Sequence, residues 1–125
     1  MITLKELIKN NDYNSLPQDT KNNLDKLLLA LNKIRVEYNK PMIITSGLRS
    51  PADQQRINPA APKSKHLIGA AADVLDTDGE LWKWCMINIQ LIIEAGLYLE
   101  DKLSTPQWVH FQCIAPKSGN RIFKP

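Results

Sequence analysis

The chain has 125 residues, 43% of them apolar and 23% charged, with a formal net charge of +3. Those values sit near the globular average and exclude disordered, collagenous and low-complexity chains, while the length suits one domain over residues 1–125 with a single core. No apolar run approaches the ~18 residues of a transmembrane helix, so no membrane insertion is expected, and the modest net charge gives no reason to expect nucleic acid.

In chain order, Thr3 and Glu6 form a capping box ahead of a short amphipathic helix carrying Leu4, Leu7 and Ile8. Pro17 opens a longer helix in which Leu24, Leu27, Leu28, Leu31 and Ile34 recur at helical spacing, ending near Tyr38 and stopped by Pro41. Met42-Ile43-Ile44-Thr45 is β-branched and apolar, the signature of a short buried strand. Ser50-Pro51 is an N-cap followed by proline at the first helical position, predicting a helix through Asn58, and the prolines of 59–65 predict a loop. Residues 69–75 are alanine-rich, yet their brevity and the turn Asp76-Thr77-Asp78-Gly79 favour a strand. An apolar helix is predicted over 80–94 with Gly96 as its stop. Residues 97–100 and 108–112 read as two strands of a hairpin. The sum is an α+β fold, with helices packed on one side of a small antiparallel sheet.

Charge is unevenly placed. Residues 41–70 carry four basic groups and one acidic, 71–105 carry two basic and seven acidic, and 106–125 carry three basic and none acidic. A solvated mixed surface explains this; so does a cleft for an anionic substrate flanked by the two basic stretches. Cys85 and Cys113 are too few for a disulfide framework and read as buried thiols.

The chemistry concentrates around the two histidines. His66 lies in Ser64-Lys65-His66-Leu67-Ile68-Gly69-Ala70-Ala71-Ala72-Asp73, which fills every fixed position of S-x-H-x-x-G-x-A-x-D. By chance such a match arises about once per million start positions. On one continuous helix His66 and Asp73 would be about 10 Å apart along the axis, too far for ligands that each stand about 2 Å from one metal. A bend at Gly69 leading into a strand would bring His66 back over Asp73, with Asp73 in phase with Ala71 and with Ala72 and Val74 facing the core. In 108–112, Val109 and Phe111 share the apolar face, and Trp108, His110 and Gln112 share the other. Two imidazoles and one carboxylate with an open position match a catalytic zinc site.

With Thr45-Ser46-Gly47-Leu48-Arg49-Ser50 upstream and Trp108-Val109-His110 downstream, the sequence resembles the zinc peptidases that include D-alanyl-D-alanine carboxypeptidases and L-alanyl-D-glutamate endopeptidases. Phage endolysins belong to this group and the hedgehog signalling domain shares its fold. The resemblance covers roughly residues 41–113; the two leading helices carry no motif. It implies Zn2+ held by His66, Asp73 and His110, and a peptidoglycan peptide as substrate. It also implies Arg49 beside the metal, stabilising an oxyanion or holding a substrate carboxylate, and Ser64 hydrogen-bonding near the ligands or the substrate.

The sequence departs from that family at one position. Many members place a carboxylate three residues before the last histidine as general base; here that residue is Gln107, which cannot take a proton. If Tyr98 pairs across from His110, Glu100 lies diagonal to His110, about 7 Å away and on the same face. Glu100 is therefore the first candidate base and Asp101 the second. The start Met1-Ile2-Thr3-Leu4-Lys5-Glu6 has no export-signal pattern, which predicts synthesis in the cytoplasm and a phage lysis or virion role for an enzyme of the cell wall. A monomer is expected. The alternatives are a non-catalytic zinc-binding module of the same fold, which Gln107 favours, and a metal-free domain in which His66 and Asp73 merely hydrogen-bond.

Overall fold

A computed structural model describes residues 1–125. Helix α1 (Leu4–Ile8) starts at the Thr3–Glu6 capping box, in which each residue satisfies the other's backbone N–H. Helix α2 (Gln18–Tyr38) follows Pro17 and ends at Asn39 in the left-handed conformation. Strand β1 (Ile44–Ser46) leads to α3 (Pro51–Ile57), whose N-cap Ser50 accepts from the Asp53 N–H. A 3-10 turn (Lys65–Ile68) precedes β2 (Ala71–Leu75). Helices α4 (Glu80–Ile87) and α5 (Ile89–Glu94) then lead to β3 (Tyr98–Glu100), β4 (Trp108–Gln112) and β5 (Ile122–Phe123). No helix is long and apolar enough to cross a membrane.

The five strands form one sheet in the order β1-β2-β4-β3-β5, antiparallel except for the β3–β5 pair. The fold is α+β, as its pattern predicted. Ile44, Ala72, Val74, Leu99, Val109 and Phe111 turn one face of the sheet into the core, where they join Leu24, Leu27, Leu31 and Ile34 of α2. These four α2 side chains are almost completely buried, worth roughly 1.5–3 kcal/mol each before entropy is counted. Ala71, Asp73, His110 and Gln112 point the other way.

Several elements differ from the sequence reading. The first strand begins at Ile44 rather than Met42. The helix expected over 80–94 breaks at Asn88 (φ −110°, ψ 35°), although the apolar pattern runs through the break. Residues 69–75 are a strand despite their alanines, because tertiary pairing with β1 and β4 outweighs a weak helical preference. In the β3–β4 pair Tyr98 faces Gln112, not His110. The offset is two residues, an even number, so Glu100 keeps its face and moves from diagonal to directly opposite His110.

Close backbone approach anchors α1 to the sheet. The Leu48 N–H donates to the Leu7 carbonyl, and a Cβ built on Gly47 would overlap that carbonyl oxygen and stand 2.9 Å from the Leu7 Cα. Backbone on both sides cannot yield as a side chain would. Gly47→Ala is expected to destabilise the fold by about 1–3 kcal/mol, the usual cost of overpacking. Urea unfolding measures it, and a midpoint equal to that of the unsubstituted chain would contradict the packing described.

Candidate metal centre

Strand register assembles the site. Ser46 of β1 pairs with Asp73, Asp73 with His110, and Glu100 with Phe123 of β5; the β3–β4 register sets Glu100 across from His110. One row of side chains therefore crosses all five strands. His66 joins it from outside the sheet. Ser64 caps the 3-10 turn by accepting from the His66 N–H, and Gly69 ends the turn at φ +73°. A side chain at Gly69 would also press on Leu24, 2.8 Å away. This reversal replaces the long axial separation that a helix would have imposed, and it brings His66 Nε2 to 3.4 Å from Asp73 Oδ2.

His110 Nδ1 lies 2.9 Å from Asp73 Oδ1, and the ligand atoms of His66, Asp73 and His110 all lie within 4.8 Å of one another. Ligands about 2.1 Å from a tetrahedral ion stand roughly 3.4 Å apart, so the set is close to ligating dimensions. All three residues are buried. The His66 Nδ1–H donates to the Gly47 carbonyl at 2.8 Å, which fixes the proton on the outer nitrogen and leaves Nε2 with a lone pair aimed at the carboxylate. An acceptor facing a carboxylate in a buried site calls for a cation between them. The donor set therefore fits a divalent ion such as zinc, held by His66, Asp73 and His110.

The electrostatics agree with the geometry. Burial alone would push the Asp73 carboxyl up, but hydrogen bonds and charge from the cationic forms of His110 and His66 hold it far below the ordinary carboxylate range. For His110, burial favours the neutral ring; the Asp73 hydrogen bond and charge, reinforced by Glu100 and Gln112, outweigh it and raise the ring above its ordinary 6.5.

Arg49 is not a surface ion pair. Its side chain is 10% exposed, and its guanidinium donates to Ser46 Oγ at 2.8 Å, Gln54 Oε1 at 3.0 Å and Asp73 Oδ2 at 3.3 Å. Gln54 is itself buried, with its amide nitrogen donating to the Asn58 and Ala61 carbonyls. Sequence reasoning missed Gln54, Ser46 and Gly47, whose roles lie in what they hold. Nothing in the sequence separates buried Gln54 from its exposed neighbour Gln55.

The site forms the floor of a cleft of about 870 Å³. Glu100, Trp108 and Ser64 line it, and so do Lys63 and Lys65 from the first basic stretch and Lys117 and Lys124 from the second. Glu100 is 20% exposed in its side chain, with Oε1 4.0 Å from His110 Nε2. Gln107 is exposed and lies outside the cleft lining. Asp101 donates its backbone N–H to the Phe123 carbonyl and is likewise not part of the lining.

The protein should bind one zinc ion per chain, and His66→Ala or His110→Ala should abolish tight binding in calorimetric titration. Because an ion bound through Nδ1 must displace the proton that His110 holds there, affinity should rise with pH and fall about tenfold per unit on the acid side of that titration. Affinity that stayed flat between about pH 5.5 and 7.5 would contradict this.

The Peptidase M15 family matches residues 1–110 of the chain. No curated protein sequence matches it significantly. Among solved structures it is similar to the crystal structure of Serratia marcescens L-Ala D-Glu endopeptidase ChiX, at 23% identity and a TM-score of 0.50 over 76% of this chain and 86% of that one. The match to ChiX bears on the fold, and the family match spans the S-x-H-x-x-G-x-A-x-D stretch and the second histidine. The chain belongs to the Peptidase M15 family.

Proposed function

We propose that this chain is a zinc-dependent peptidoglycan peptidase that hydrolyses a peptide bond of the stem or cross-bridge, with the L-Ala–D-Glu bond as first choice over a terminal D-Ala–D-Ala bond. The observation that carries the reading is the convergence of His66, Asp73 and His110 at the floor of a cleft in a chain of a peptidase family. Lysines on both lips suit a peptide with carboxylates on either side of the scissile bond. The activity named for ChiX accords with that choice.

A divalent ion held by the three ligands would supply a Lewis acid for the scissile carbonyl and an acidified water near neutral pH. The remaining chemistry belongs to the chain. Glu100 is the proposed general base: its carboxylate reaches into the cleft beside His110, takes a proton from water and returns it to the leaving amine. It occupies the neighbouring strand at the level of His110, so the carboxylate absent at Gln107 is supplied from across the sheet. Arg49 uses three of its five N–H donors to hold itself against Ser46, Gln54 and Asp73. That leaves two for a developing oxyanion or a substrate carboxylate. Ser64 accepts from the His66 N–H, and its own hydroxyl proton is available to the substrate.

Purified sacculi digested with the protein should yield, by mass spectrometry, new fragments beginning with D-Glu, and a chelator should suppress them. Glu100→Gln should lower kcat by about 10²–10⁴-fold with zinc binding intact. Zinc-loaded protein that leaves sacculi uncut would establish the non-catalytic module instead, and full turnover in Glu100→Gln would remove Glu100 as the base.

A further inference from the structure

We infer that Gln112 is a positioning residue that sets the His110 tautomer, so that Nδ1 and not Nε2 faces the metal; the inference rests on the zinc reading above. Gln112 is 3% exposed and lies two residues beyond His110 on the same strand and face. Its Nε2 is 2.8 Å from the Ile114 carbonyl, and its Oε1 is 2.8 Å from His110 Nε2. The Ile114 carbonyl can only accept, so the amide nitrogen must face it. That leaves the amide oxygen toward the ring, and the oxygen can only accept as well. His110 Nε2 must therefore keep its proton, so the nitrogen that can give one up to a metal is Nδ1, 2.9 Å from Asp73 Oδ1.

The sheet makes room for this arrangement. Gln112 pairs with Ala71 of β2, a residue with almost no side chain, which leaves room on that side, while Tyr98 of β3 stands opposite it on the other. His66 obtains the same result from the main chain, through the Gly47 carbonyl on its Nδ1. The two imidazoles thus present opposite nitrogens, Nε2 from His66 and Nδ1 from His110, each with its proton held on the far side of the ring. A leucine at 112 would remove the acceptor, free the ring to exchange tautomers, and leave only part of the population ready to ligate.

The test uses the metal-free protein and zinc, with affinity read by competition against a chromophoric chelator. Gln112→Leu should bind zinc about 10–100-fold more weakly, and Gln112→Met, unbranched and equally without an oxygen acceptor for the ring, should lose as much. In the zinc-loaded unsubstituted protein, long-range 1H–15N correlations should show His110 protonated at Nε2 and His66 protonated at Nδ1. The proposal is overturned if Gln112→Leu binds zinc as tightly as the unsubstituted chain, or if His110 ligates through Nε2. Should Gln112→Leu fail to fold, the His110 spectrum decides alone. An unsubstituted protein that takes up no zinc would overturn the metal centre itself, an outcome separate from a normal metal site that is indifferent to residue 112.

Discussion

A carboxylate is buried at the centre of this protein, and the surrounding structure keeps it ionised there. Moving an anion out of water costs several kcal/mol even after relaxation, and Asp73 is 6% exposed. Three cationic or ionisable partners converge on it: His110 on one oxygen, His66 and Arg49 on the other. Asp73 is also held rigidly, because β2 is paired on both sides and its backbone cannot shift without breaking two ladders. A negative charge fixed in this way attracts a cation, and the nitrogens facing it favour a divalent ion over a second ion pair.

The supports extend outward in layers. Helix α1 meets the chain at Leu48 and Gly47, and the Gly47 carbonyl holds His66. Helix α3 contributes Gln54, which holds Arg49, and Arg49 in turn holds Asp73. The leading helices carry no chemical motif, yet they brace the turn that carries His66. Conversely, the cleft face of β2 and β4 carries Ala71, Asp73, His110 and Gln112, while Val74, Val109 and Phe111 lie on the α2 side. The same strands thus serve as core on one face and as a mount for Asp73 and His110 on the other.

Much of the site was legible because its residues are rare types at fixed spacing. His66, Gly69 and Asp73 implied a reversal, and the reversal is present, with Gly69 in the left-handed conformation that it requires. The alternation at 108–112 placed His110 and Gln112 on one face. The β3–β4 register was not legible, since nothing local distinguishes Tyr98 facing His110 from Tyr98 facing Gln112; only the face could be inferred, and an even offset preserves it. Strand β5 is two residues long, too short for any periodicity, and it pairs with a distant segment. The break at Asn88 was hidden because apolar residues continue on both sides of it. The roles of Gly47, Ser46 and Gln54 depend on contacts across long stretches of chain, which spacing does not encode.

The claim on which everything else stands is that His66, Asp73 and His110 grip a single ion. Crystals grown with zinc, with diffraction recorded on both sides of the zinc absorption edge, test it most directly. The account predicts one strong anomalous peak per chain, about 2.0–2.2 Å from His66 Nε2, an Asp73 carboxylate oxygen and His110 Nδ1. No peak at that point, or a peak ligated elsewhere on the chain, would contradict it.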